Sequence, residues 1–226
     1  MSNPLWIRGG RIIDPDVDRD EEADLFAIDG VIAENLSEDQ RSSAQVIDAK
    51  GKIVCPGFID LHAHFREPGQ TQKETIGSGS RTAAAGGYTT VVIMPDVRPP
   101  ADNAGVIQYI LDAVAKHACV NVLPTGCMTQ GRSGESLSPI GSLKQAGVVA
   151  ITDSPDSPQN NEIMRRTLEY AGMFDLPIID QCRDRSLTDG AVMHEGPTSL
   201  RLGLHGSPRA AEDLLVSRAT MLSALT

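Results

Sequence analysis

The sequence predicts an α/β protein: a partial (β/α)8 barrel, about five of its eight units, behind a small N-terminal β-sandwich-like domain. Three observations carry that prediction. Apolar runs without polar alternation begin at residues 52, 88, 119, 147 and 176, successive starts lying 28 to 36 residues apart. That interval is close to the ~30 residues of one strand–helix–strand unit. Helix-like stretches fill the intervals, and unalternated strands between helices indicate a parallel sheet covered on both faces. Polar side chains then follow directly after four of the runs, at His62 and His64, Asp96, Asp153 and Gln181. An open sheet gathers its ligands at one switch point; chemistry after several strands belongs to the C-terminal rim of a barrel.

Residues 1–55 read as short strands and turns. "LWIRGGRIID" has the look of a hairpin turning at Gly9-Gly10, and "DLFAIDGVIAEN" of a second turning at Asp29-Gly30, a pair suited to a type I′ turn. The acidic "DPDVDRDEEAD" between them reads as a solvated loop. From residue 56 to 226 the barrel pattern takes over. Its strands are "KIVCPGFID", "YTTVVIMP", "CVNVLP", "GVVAIT" and "LPIID". Its helices are "TQKETIGSGSRTAAAGG", "NAGVIQYILDAVAKHA", "NNEIMRRTLEYAGMFD" and "SPRAAEDLLVSRATMLSALT". The second of these carries Val106, Ile107, Ile110, Leu111 and Val114 at helical spacing behind a cap at Asp102 or Asn103. A closed barrel takes ~250 residues, so three units are missing, and the fifth strand is expected to have an open edge that favours association.

Bulk composition narrows the function classes. The 226 residues are 40% hydrophobic, enough for a buried core, and carry a net charge of −10. That charge argues against nucleic acid and against an anionic membrane surface as partners. No apolar run approaches the ~18–20 residues needed to span a bilayer. "MSNPLWIRGGRIIDP" lacks the pattern of a signal peptide. Cys55, Cys119, Cys127 and Cys182 show no C-x-x-C spacing and read as buried thiols of a reduced, cytoplasmic protein.

The chemistry concentrates in "GFIDLHAHFREPG", residues 57–69. Side chains at i and i+2 of a strand point the same way. His62 and His64 can therefore face one mouth about a metal's width apart, and neutral imidazole suits zinc as well as iron, nickel or copper. The bland alternative is two surface histidines at a strand end. For Asp153 the alternative is a turn or cap residue in "TDSPDSP"; for Arg66 it is a rim ion pair with Glu67 or Asp60. His117 suits a helix C-terminus, and His194 and His205 read as loop residues.

"GFIDLHAHFREPG" resembles the metal-binding signature of the dihydroorotase branch of the amidohydrolase superfamily. "KETIGSGSRTAAAGGYTTVVIMPD" is similar to that branch's second barrel unit, "GVVAITDSP" to its fourth, and "DQCRDRSLTDGAVMHEG" with "LGLHGSPRAAEDLLVSRATML" to the stretch after its fifth strand. The likeness covers nearly the whole chain but only about the first half of a full-length member. It implies hydrolysis or formation of a cyclic amide, dihydroorotate to N-carbamoyl-aspartate in pyrimidine biosynthesis, with one or two zinc ions activating a water. It also implies metal ligation by His62, His64 and Asp153, and substrate contact at Arg66, whose forked donors suit a carboxylate, and at position 96.

The departures from that pattern matter as much. Asp96 stands where the family has an Asn that donates to the substrate carboxylate, and an ionised Asp only accepts. Gln181 stands in place of a metal-binding histidine, so zinc occupancy is doubtful, and Arg183 in place of the neighbouring acid. The family's histidine after strand six and its catalytic aspartate after strand eight fall beyond Thr226, so no catalytic residue is expected within these residues and hydrolysis by them alone is not. Three accounts follow: a piece of a dihydroorotase-like hydrolase; an inactive homologue acting as a structural partner of aspartate transcarbamoylase, or self-associating; and a cyclic amidase with another substrate.

Overall fold

The structure is a computed structural model that describes residues 4–226; the first three residues of the N-terminal stretch read above lie outside the described residues. It divides into two compact units, Met1–Gly57 and Phe58–Thr226.

In the first unit, β1 (Leu5–Asp14) pairs antiparallel with β2 (Arg19–Ile28), which pairs antiparallel with β3 (Val31–Ala33). Helix α1 (Glu38–Ser43), capped by Ser37 with Gln40 answering it, returns the chain so that β4 (Gln45–Asp48) and β5 (Ile53–Val54) lie parallel to β1. One mixed five-stranded sheet, ordered β3-β2-β1-β4 with β5 also on β1, therefore stands where an antiparallel, sandwich-like domain was expected. The Asp29-Gly30 turn forms with both residues at positive φ, 54° and 78°, as a type I′ turn requires. Gly9-Gly10 is not a turn. It is a register shift inside β1 between Ile7 and Gly10, with Gly9 at φ 66°. A side chain at Gly10 would meet Val54 at 2.6 Å, so glycine there serves close packing instead of chain reversal. The reversal comes at residues 15–18, and the acidic stretch read as a loop supplies that turn and the first half of β2.

The second unit begins with β6 (Phe58–Ala63), followed by α2 (Ile76–Ala85), β7 (Tyr88–Ile93), α3 (Ala104–His117) and β8 (Asn121–Pro124). Next come α4 (Ile140–Ala146), α5 (Asn161–Gly172), α6 (Arg185–Thr188), β9 (Met193–His194), α7 (Pro197–Leu202), β10 (Gly206–Ser207) and α8 (Ala210–Ser223). Strands β6, β7 and β8 pair parallel in that order. The runs at 147–152 and 176–180 continue the series as parallel bridges, Gly126 to Ile151 and Ile151 to Ile178. Asn103 caps α3 by accepting from Val106 N, and His117 is the last residue of that helix, where a cation suits the dipole. Val91, Ile93, Ile107, Ile110, Leu143, Ile151 and Met164 form the core between sheet and helices.

Two expectations are corrected here. Phe58, Ile59 and Leu61 of β6 are more than half exposed, because this strand has β7 alone as a neighbour among the described residues. Cys55 and Cys119 are exposed as well; they sit just past β5 and α3, where the apolar runs leave the core. Cys127 is buried, and burial pushes its thiol upward in pKa. Among the described residues no helix is long and apolar enough to cross a membrane.

Candidate functional site at the strand tips

Strand β6 delivers its two imidazoles to one place. His62 lies in the strand and His64 just beyond it, and the rings stand 5.1 Å apart centre to centre. The loop that follows is fixed from two sides. Glu67 accepts from the backbone of Ile76, the first residue of α2, and from the Tyr109 hydroxyl. Gly69 has φ 90°, and a side chain there would meet the Arg98 carbonyl at 2.1 Å. A chain this closely packed against the segment after β7 brings Arg66 and Asp96 together.

Asp96 is the hub of that corner. One oxygen takes His64 Nδ1 at 2.9 Å and the other takes Arg66 Nη1 at 2.8 Å, with the carboxylate side chain only 8% exposed. Arg66 therefore pairs with Asp96, not with the Glu67 or Asp60 considered from sequence. A carboxylate on one imidazole nitrogen leaves the opposite nitrogen, Nε2, to face a metal or ligand.

The later tips behave differently. Ser154 is fully buried; its Oγ lies 2.9 Å from His62 Nε2 and donates to Gln181 Oε1 at 3.0 Å. Its neighbour Asp153 turns the other way, as successive side chains of an extended segment do. The Asp153 carboxylate accepts from the backbone of Met128 and Thr129 and from the Thr129 hydroxyl. Burial raises its pKa, against those hydrogen bonds and Arg132. Asp180 likewise faces away from Gln181's partner. Its Oδ2 meets Arg218 of α8 at 3.4 Å, both side chains over nine-tenths buried, while its Oδ1 has no hydrogen-bond partner among the described residues. Arg218 also donates to the Pro158 carbonyl and to Ser157, so α8 ties the two later tips together. Cys182 beside it has its pKa raised to about 11, by burial first and then by Asp180.

A cavity of about 660 Å³ opens over these tips, lined among others by His62, His64, Asp180, Gln181, Arg183 and His194. The structure thus brings His62, His64, Arg66 and Asp96 into one cluster and joins it to the later tips through Ser154 and Gln181. It does not bring Asp153 to the ring pair; the carboxylate is spent on the 128–129 turn. Among the described residues no group of three or more His, Cys, Asp or Glu side chains could hold a metal ion. Zinc in a catalytic site takes three protein ligands, so two imidazoles and a neutral amide do not fit it as they stand. Sequence reasoning missed Ser154 and Asp180, and read as a loop residue His194, which the structure has in β9 and in the cavity lining. Alternation of side chains along a strand was the usable signal: if residue 154 meets the mouth, residue 153 cannot.

Comparison with known proteins gives the kinship. A family model described as dihydro-orotase-like matches residues 51–225. A dihydroorotase of Solibacter usitatus is 48% identical over 223 residues, 99% of this chain and 52% of the relative. One from Endomicrobium trichonymphae is 46% identical over 98% of this chain and 52% of its own length. The chain spans about half the length of the curated relatives it matches. Among solved structures, the L-hydantoinase (dihydropyrimidinase) of Arthrobacter aurescens superposes on all of this chain and 51% of its own, with a TM-score of 0.77 at 18% identity. The dihydropyrimidinase of Brevibacillus agri reaches 0.71 at 21% identity, over 98% of this chain and 50% of its own. Those two likenesses concern the fold.

Proposed function

Because the chain belongs to the dihydro-orotase-like family, we propose that it forms part of a cyclic amidohydrolase whose substrate is a small cyclic amide, dihydroorotate in pyrimidine biosynthesis, in the cytoplasm. Under this reading residues from Phe58 onward are the first five units of a β/α barrel, preceded by a separate small β domain. The observation that carries it is the pair His62 and His64 at the end of β6, with Arg66 and Asp96 beside it. His64, oriented through Nδ1 by Asp96, presents Nε2 to the ligand. Ser154 holds His62 and Gln181 in register. Zinc is the metal the family resemblance implies. The donors described here do not make up a zinc set, so no step is assigned to it.

A second reading is favoured by Gln181 and by the Asp96 ion pairs: a homologue without catalysis, kept as a partner of aspartate transcarbamoylase or of itself. Dihydroorotate consumption by the whole purified protein, with zinc supplied, separates the two. Zinc-dependent turnover supports the hydrolase. A folded protein that binds the ring without consuming it supports the second.

A further inference from the structure

We propose that Ser154 is a positioning residue that fixes the paired imidazoles in opposite tautomers, with the hydrogen of His62 on Nε2 and that of His64 on Nδ1. Between the two Nε2 atoms, that of His64 alone then keeps a lone pair for a metal or for a ligand proton. The inference goes beyond both readings of function given above and needs neither. Each hydrogen is assigned from the partners of the nitrogen that carries it. Asp96 gives one oxygen to His64 Nδ1 at 2.9 Å and the other to Arg66 Nη1 at 2.8 Å. An ionised carboxylate accepts and cannot donate, so the hydrogen of His64 is on Nδ1 and its lone pair on Nε2.

His62 is held the other way. The Ser154 hydroxyl has one proton and donates it to Gln181 Oε1 at 3.0 Å. The same Oγ lies 2.9 Å from His62 Nε2. With its proton committed, the oxygen accepts from the ring, so His62 carries its hydrogen on Nε2 and its lone pair on Nδ1. The chain runs from Nε2–H to Oγ–H to Oε1, each bond polarising the next. Ser154 is fixed within it: the residue is fully buried, and its backbone N–H donates to the Thr152 hydroxyl at 3.0 Å. A nitrogen that carries a hydrogen has no lone pair for an ion. The rings, 5.1 Å apart and both lining the cavity, have the spacing of a clamp but are not equivalent.

Long-range proton–nitrogen correlation spectra of the whole protein, labelled with nitrogen-15 in its histidines, test this, because protonated and lone-pair ring nitrogens resonate far apart. The protein is taken as purified, with its metal content measured alongside, at pH 8, where imidazole is ordinarily neutral. The wild type is expected to show His64 as the Nδ1–H form and His62 as the Nε2–H form, each over its alternative by about tenfold or more. Gln181→Glu, whose carboxylate can only accept, is expected to keep His62 as in the wild type. Ser154→Ala is expected to release His62 to the tautomer mixture it shows in the denatured protein and to leave His64 unchanged. Both rings in the Nδ1–H form overturn the proposal. A His62 ring unmoved by Ser154→Ala overturns the role given to Ser154. An ion held through the Nε2 atoms of both rings overturns the proposal while supporting the hydrolase reading.

Discussion

The tips of β6 and β7 and the two tips that follow Ile151 and Ile178 are joined through the His62–Ser154 contact, yet they are built on opposite principles. At the first pair, ionisable side chains face one another and part of each remains exposed: His64 at 29%, Arg66 at 32%, with Asp96 between them. At the second pair the charges point inward, away from the mouth. Asp153 is taken up by the 128–129 turn and Asp180 by Arg218, leaving the neutral Ser154 to meet His62 and the neutral Gln181 to accept from Ser154. Half of the mouth is arranged to touch a ligand and half to hold its own framework. The difference arises from one-residue alternation, since turning Ser154 and Gln181 toward the rings turns Asp153 and Asp180 away.

Five perturbations sharpen or break that contrast. The largest effect is expected at Arg218. Removing it by Arg218→Ala leaves Asp180 buried and unpaired, which costs about 3–5 kcal/mol of unfolding free energy, measured by denaturant titration. A loss too small to resolve would mean that the later tips are not held by α8. Next comes Asp153→Ala, which strips partners from two backbone N–H groups and a hydroxyl; a loss of about 2–3 kcal/mol is expected, with no change in zinc uptake. A change in zinc uptake without loss of stability would return Asp153 to the metal.

The same residue gives a pH test. Burial raises its folded pKa above the unfolded value, so the native state binds the extra proton in the window between them. Its favourable share of stability is present below the unfolded value and is lost as pH rises through the folded one. Asp153→Asn should flatten that part of the stability–pH curve, and an unchanged curve would assign the titration elsewhere.

A smaller effect is expected at Ser154→Ala, about 1–2 kcal/mol, because it unlinks His62 from Gln181 without removing a charge. Spectra of the His62 ring should change while those of His64, held by Asp96, stay put; equal changes in both would contradict the division drawn here. The smallest effect is kinetic and needs no substitution. Alkylation at pH 8 followed by mass spectrometry should modify exposed Cys55 and Cys119 first, Cys182 later because its pKa is raised to about 11, and buried Cys127 last. Early modification of Cys182 would show that the fifth tip is more open than the structure has it.

How much of this was legible in the sequence differs between the same regions. The parallel series was legible because its strands carry no polar alternation: β7 and β8 fall within the runs that predicted them, whereas the run at 52–60 is split between β5 of the first sheet and the first three residues of β6. The runs at 147–152 and 176–180 were placed correctly in the series but form bridges, not full ladders. Helix α4 was not anticipated; seven residues give too few turns for a periodic signal. In the first unit, Gly9-Gly10 carries the local chemistry of a turn, and only the approach of Val54, forty-odd positions onward in the chain, makes it a bulge. At the site, His62, His64, Arg66 and Asp96 were legible from spacing and from resemblance. Asp153 was preferred as a ligand over a turn or cap residue by resemblance alone, and resemblance does not fix the side on which a residue leaves a strand. The partner that holds Asp180, Arg218, lies 38 residues away on α8, where no local pattern could point to it.

The central claim is that, among the described residues, two imidazoles meet without a third strong ligand. Zinc retained per protein after gel filtration, measured on the wild type, Gln181→His and His62→Ala, tests it most directly. The account predicts well under one equivalent in the wild type and close to one in Gln181→His. A full equivalent in the wild type, lost in His62→Ala, would contradict it.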